Sequence, residues 1–195
     1  LHLLGFNQTQ IARSYGIGQS NISKHLSASN WNIIAKNVLP LFEEKIKLPY
    51  SLYVVNSVQE EVGLHGATMI AQTIRPDVAI ITDVTHDTST PLIDAKQEGD
   101  VRLGLGPALT YAPSVHRKLL QLIEEAAQVN NIPFQRVASS RSTGTDTDAF
   151  AYANGGIPSA LISIPLRYMH TTVEMAHFED ISHLINLISA SLQQI

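Results

Sequence analysis

Three apolar runs in this chain end in acidic residues or histidine, and this pattern limits the fold more than any other feature. Leu52-Tyr53-Val54-Val55-Asn56-Ser57-Val58 leads into Gln59-Glu60-Glu61, a second run closes at Asp83, and Ser159–Pro165 leads to His170 and Glu174. A Gly- and Asp-rich stretch, Gly144–Asp148, has the same character. An ionised carboxylate at the tip of a buried strand must be paired with a cation or bound to a metal to offset its lost hydration. In open α/β sheets, ligands bind outside the carboxyl ends of the strands, so these positions are expected to meet in one crevice. Neighbours on an extended backbone point to opposite sides, which lets one Glu of the pair hold a metal while the other faces substrate. Glu, Asp and His are a natural ligand set for zinc and related divalent ions. A bare Glu-Glu pair is ordinarily a solvated loop; the repetition downstream argues against that here.

The rest of the pattern agrees with a sheet covered by helices. Strands are predicted near 52–58, 78–82, 101–104 and 159–164. Helices are predicted near 7–15, 19–27 and 30–45, the last interrupted by Pro40, then over 67–73, 114–130, 149–154 and 181–194. The helix over 114–130 is amphipathic, with Val115, Leu119, Leu122, Ile123 and Ala126 on one face. Strands alternating with helices predict an α/β fold with a largely parallel or mixed sheet flanked by helices. A small helical segment, 1–45, precedes the main domain, 46–195.

Composition removes several classes of function. At 195 residues and 44% hydrophobic, the chain can bury a substantial core in one main domain with room for a small second one. The absence of cysteine excludes disulfides, thiolate metal sites and a thiol nucleophile. No apolar run approaches the 18 or so residues of a membrane span, and the N-terminus lacks a secretory pattern, so a cytoplasmic location is the expectation. Leu1 in place of Met is the mark of a fragment or a processed chain.

The motifs carry a specific resemblance. Val58-Gln59-Glu60-Glu61-Val62-Gly63-Leu64-His65-Gly66-Ala67 is followed by Pro76-Asp77, Thr82-Asp83-Val84-Thr85 and Gly104-Leu105-Gly106-Pro107. Gly144-Thr145-Asp146-Thr147-Asp148-Ala149 and Gly156-Ile157-Pro158 then lead to Ile164-Pro165-Leu166-Arg167-Tyr168-Met169-His170-Thr171-Thr172-Val173-Glu174. In this order they resemble the glutamyl aminopeptidase family of two-metal peptidases, whose members form large tetrahedral particles, from about Leu48 to Ile195. The resemblance implies that Glu60 is the general base for a metal-activated water and that Glu61 and His170 ligate one metal while Asp83 ligates the other. It implies two divalent ions, zinc or cobalt, a peptide substrate and a homo-oligomer.

This sequence departs from that family in one respect. The family's His-x-Asp ligand motif and its metal-bridging Asp lie upstream of the Gln-Glu-Glu segment, yet no Asp occurs before Asp77. The upstream His2 and His25 sit in unrelated contexts, so the metal shell is incomplete. Asp146 and Asp148 either support His170 by hydrogen bonding or cap a helix starting at Ala149. Arg167 either orients a substrate carboxylate or pairs with Glu174. His65, His86, His116 and His177 read as exposed, His86 being near enough to Asp83 to reach the metal region. Gly104–Pro107 reads as a turn near the site and not as a phosphate loop.

Upstream, Gln8–Leu26 resembles the helix-turn-helix of bacterial and phage repressors. Ala12 is small where two helices would cross, Gly16 would end the first helix, and Ile11, Ile17, Ile22 and Leu26 would close a small core. Gln19, Ser20, Asn21 and Lys24 would then open a recognition helix. From Leu1 to Phe42 there are three basic residues and no acid, against a formal charge of −4 for the whole chain. Two readings follow: a metallo-aminopeptidase with no membrane association, or a DNA-binding protein with a non-catalytic peptidase-like domain.

Overall fold

A computed structural model describes residues 48–195. The helices expected at 7–15, 19–27 and 30–45, and with them Gln19, Ser20, Asn21 and Lys24, lie outside the described residues. The chain divides into two compact units, Leu1–Asn56 and Ser57–Ile195, and every element below belongs to the second.

The sheet is built on one strand. Ser159–Arg167 is buried at eight of its nine positions, as a near-continuous apolar run requires when both faces of a strand are covered. In chain order the elements are α1 (His65–Ile74), β1 (Ala79–His86), α2 (Ala95–Glu98), β2 (Ala108–Tyr111), α3 (Arg117–Val129), β3 (Gln135–Ala138), α4 (Asp146–Ala151), β4 (Ser159–Arg167), β5 (Met175–Ala176) and α5 (Phe178–Leu192). The strand order is β1-β4-β2-β3, with β5 added to β4. β1 runs parallel to β4, from Ala79↔Ser159 to His86↔Leu166; β2 is parallel to β3 but antiparallel to β4. The sheet is therefore mixed and flanked by helices. Helices α3 and α5 pack on each other and on β4, while α4 packs on α1, β1 and β4.

Local chemistry sets the helix boundaries. α3 buries Leu119, Leu120, Ile123, Ala126 and Ala127. Leu119, Ile123 and Ala126 belong to the stripe expected from its periodicity, whereas Leu122 is only half-buried and Leu120 and Ala127 join the core instead. Each fully buried Leu or Ile contributes about 1.5–3 kcal/mol. It starts at Arg117 because the His116 side chain accepts from Leu119 N. α5 begins three residues earlier than expected, where the His177 imidazole accepts from Glu179 N and Glu179 and Asp180 occupy the favourable first turn. α4 likewise starts at Asp146, not Ala149, because the Thr145 hydroxyl accepts from Thr147 N.

Two expected strands do not form. Leu52–Val58 joins no β-ladder among the described residues. Gln59 takes a left-handed φ of 61°, which breaks the extended path, and the carbonyls of Val58 and Gln59 accept from Gly66 N and His65 N at the start of α1. Only glycine fits at position 66, since a Cβ there would lie 2.3 Å from the Val58 carbonyl oxygen. The segment 101–104 is a turn instead: Arg102 N donates to the Gln135 side chain, Leu103 N to Asp87 and Gly104 N to Asp180. With those amides taken by side chains, strand pairing begins only at Ala108. The short strands β3 and β5 give no periodic signal and were not expected. Among the described residues no helix is long and apolar enough to cross a membrane.

Candidate metal centre and active site

Four acids and one histidine converge where the expected crevice should lie. Glu60 sits in the turn between the left-handed Gln59 and α1, its carbonyl accepting from Gly63 N and Leu64 N. Burial first, then the nearby negative charges of Asp83, Glu61 and Asp146, push its carboxyl up to about 7, while His170 acts in the opposite direction. Asp83 lies on β1 opposite Ser163 of β4. Burial raises its pKa most; its bond from Val84 N, 2.7 Å, and His170 act to lower it, and Asp146 and Glu61 raise it further. His170 Nε2 lies 3.2 Å from Glu61 Oε1. His86 is not among the groups that shift Glu60 or Asp83.

Asp146 and Asp148 separate into different roles. Asp146 is 7% exposed; one of its oxygens accepts from the Ser57 hydroxyl, and the other, fully buried, has no hydrogen-bond partner among the described residues. Burial raises its pKa against the Ser57 bond. Burial also pushes Asp148 upward, but the nearby Ser114 hydroxyl and hydrogen bonds from Thr143 N and Gly144 N outweigh it and hold this carboxyl below its usual range. Asp148 thus ties down the loop before α4. Neither acid hydrogen-bonds His170, whose imidazole is on Glu61.

Arg167 ends β4 with its guanidinium 5.0 Å from the centre of the Tyr168 ring and donates to the Tyr168 hydroxyl at 3.1 Å. Its Nε is buried without a partner among the described residues, and its charge helps to lower the pKa of Asp87. It does not pair with Glu174, whose carboxylate accepts from His170 N at 2.6 Å. Ser57, which holds Asp146, carries no signal in the sequence beyond its place just before the Gln-Glu-Glu segment. Glu174 is signalled only by its spacing, four residues after His170.

The donor chemistry fits divalent metals. Neighbouring carboxylates raise the proton affinity of Glu60 and Asp83 with one imidazole to offset them, and a buried Asp146 oxygen has no partner among the described residues, a condition a cation relieves. Among the described residues, however, no three such groups stand close enough to enclose an ion by themselves.

The family model for M42 glutamyl aminopeptidase matches residues 33–187. The chain belongs to this family. The match starts upstream of Leu48 and so takes in part of the stretch expected to be a separate helical segment. Among curated relatives, the lysyl aminopeptidase of Pyrococcus furiosus is 39% identical over 149 residues, 74% of this chain and 41% of its own length. A crystal structure of a TET aminopeptidase from a marine sediment thaumarchaeote superposes with a TM-score of 0.76 at 28% identity, covering 84% of this chain and 46% of that one. The TET1 peptidase of Pyrococcus horikoshii, which can assemble into a tetrahedron or a large octahedral shell, gives 0.65 at 28% identity over 80% of this chain and 44% of its own. This chain thus spans about half the length of the M42 relatives it matches.

Proposed function

We propose that the chain carries part of the catalytic centre of a metal-dependent aminopeptidase, with Glu60 as general base and Glu61, Asp83 and His170 as metal ligands. The observation that supports this most is that Glu61, Asp146 and His170 all act on Glu60 and Asp83, whose carboxyl groups are raised, while His170 meets Glu61 at 3.2 Å. Divalent ions held there, zinc or cobalt, would polarise water and the scissile carbonyl of a peptide. Glu60, poised near neutrality, is suited to take a proton and return it to the departing amine. Asp83 and the Glu61–His170 pair contribute ligands from within β1, the turn before α1 and the turn after β4. Asp146 adds charge beneath them, and Arg167, stacked on Tyr168, stiffens the turn that leads to His170.

The particle-forming M42 relatives support a homo-oligomer for this chain as well. The DNA-binding reading is not favoured: Gln8–Leu26 lies outside both the family match and the described residues.

The test is elemental analysis of the purified chain after incubation with zinc or cobalt, together with hydrolysis of a panel of aminoacyl chromogenic amides. Uptake of metal with turnover that vanishes in Glu60→Gln, metal content being retained, supports the proposal. Absence of both uptake and turnover refutes it.

A further inference from the structure

The turn that presents His170 is an unusual piece of backbone. It occupies residues 168–174 between β4 and β5, which pair through Leu166↔Ala176 and Arg167↔Met175. Within it Tyr168 and His170 both adopt left-handed conformations, with φ of 57° and 62°, a state that residues with a Cβ hold only when their surroundings impose it. Thr171 accounts for Tyr168, since its N–H and hydroxyl both donate to the Tyr168 carbonyl, at 3.2 and 2.6 Å. Glu174 accounts for His170: its Oε1 accepts from His170 N at 2.6 Å, a short bond of the charge-assisted kind.

We propose that Glu174 is a positioning residue that locks the backbone of His170 in its left-handed conformation and thereby aims the imidazole at Glu61. The inference rests on the reading of His170 as a ligand, but it concerns how the ligand is held. The alternative, that Glu174 is itself a ligand, fits less well. Glu174 is absent from the charges that act on Glu60 and Asp83, whereas Glu61, Asp146 and His170 act on one or both; its carboxylate is turned to the backbone. The backbone N–H that it holds belongs to the same residue whose imidazole meets Glu61 at 3.2 Å, so loss of one contact transmits directly to the other.

Two measurements separate the claims. In the metal-free chain, the His170 amide proton should resonate downfield, stay there in Glu174→Gln, whose carbonyl still accepts, and move upfield in Glu174→Ala. An unchanged resonance in Glu174→Ala overturns the proposal. In zinc titrations followed by calorimetry, Glu174→Ala should lose about 10- to 100-fold in affinity, as removal of a group that orients a ligand typically does. Glu174→Gln should recover most of that loss, and Glu174→Ala should cost nothing further in a His170→Ala background. Equal losses in both backgrounds, or in the Gln and Ala variants alike, would show a general structural or ligand role and overturn it. If the unaltered chain takes up no zinc, the proposed function fails, and the amide resonance alone still decides the role of Glu174.

Discussion

Asp180 and Asp146 are both buried acids in the first turn of a helix, and the fold treats their charges in opposite ways. Asp180 is wholly buried, yet each of its oxygens accepts a backbone N–H at 2.8 Å, from Gly104 and Gly106. Asp87 is handled similarly, with Ser89 N and Leu103 N as donors. Together these two carboxylates anchor the Leu103–Gly106 turn, and Gln135 joins them through Arg102 and the Gly106 carbonyl. Asp146 has one hydroxyl donor and, among the described residues, no partner for its second oxygen. Where an acid serves the fold, backbone amides neutralise it; an acid left without amides beside other acids is open to a cation, as the proposed function requires.

The largest expected effect breaks the first half of this comparison. Asp180→Ala removes the acceptor from two buried amides and should destabilise the chain by about 2–4 kcal/mol, seen as a fall in the urea midpoint with the slope unchanged. Gly106 sits in the same turn with a φ of 94°, and a Cβ there would lie 2.2 Å from the Pro133 carbonyl oxygen, so Gly106→Ala should be of similar severity. Free tolerance of both changes would show that the turn is not an anchor.

The reverse sign is expected on the other side. Asp146→Asn removes a buried charge that lacks a full set of donors, and should stabilise the metal-free chain at pH 8 by about 1 kcal/mol. Added zinc should raise the melting temperature of the unaltered chain more than that of the variant. A loss of stability comparable to Asp180→Ala would mean that Asp146 is structural and the contrast false.

Which acids fall on which side was only partly legible in the sequence. Glu60, Glu61, Asp83 and His170 stand out in the sequence because each closes an apolar run or stands in a long motif, which is what groups them for the proposed site; the core of β4 and much of that of α3 was readable from uninterrupted or periodic hydrophobicity. Asp180 was not, because its partners lie 74 and 76 residues away and no local pattern records that tertiary bond. The strand expected at 52–58 failed for a related reason. Its composition favours strand, but a left-handed Gln59 and the closeness of Gly66 to Val58 commit its last carbonyls to a helix start instead. Asp148 shows the limit within a motif: Asp146 and Asp148 are two residues apart, yet the amides of Thr143 and Gly144 bind Asp148 while Asp146 takes the Ser57 hydroxyl.

A smaller effect reads the charge of the cluster directly. The Glu60 carboxyl is raised to about 7 in the fold from an ordinary 4.5, so between those values the folded chain binds more protons than the unfolded one. Its stability contribution is therefore complete below about 4.5 and is lost as pH rises towards 7. The metal-free chain should melt at a lower temperature at pH 7.5 than at pH 5, and Glu60→Gln should flatten that slope. A slope unaffected by the substitution would assign the pH dependence to other groups.

The smallest expected effect concerns the pair that the metal proposal needs most. Glu61 and His170 meet at 3.2 Å, but their side chains remain 71% and 66% exposed, and exposed pairs contribute roughly 0–1 kcal/mol. Glu61→Gln should therefore leave the urea midpoint of the metal-free chain almost unmoved while weakening zinc uptake. The two readings together are what matter, because a contact that costs the fold two exposed side chains and a left-handed histidine yet adds little stability has no structural reason to exist. A large loss of stability in Glu61→Gln with zinc uptake intact would place this pair with Asp180, among the anchors of the fold, and leave the acidic cluster without its imidazole ligand.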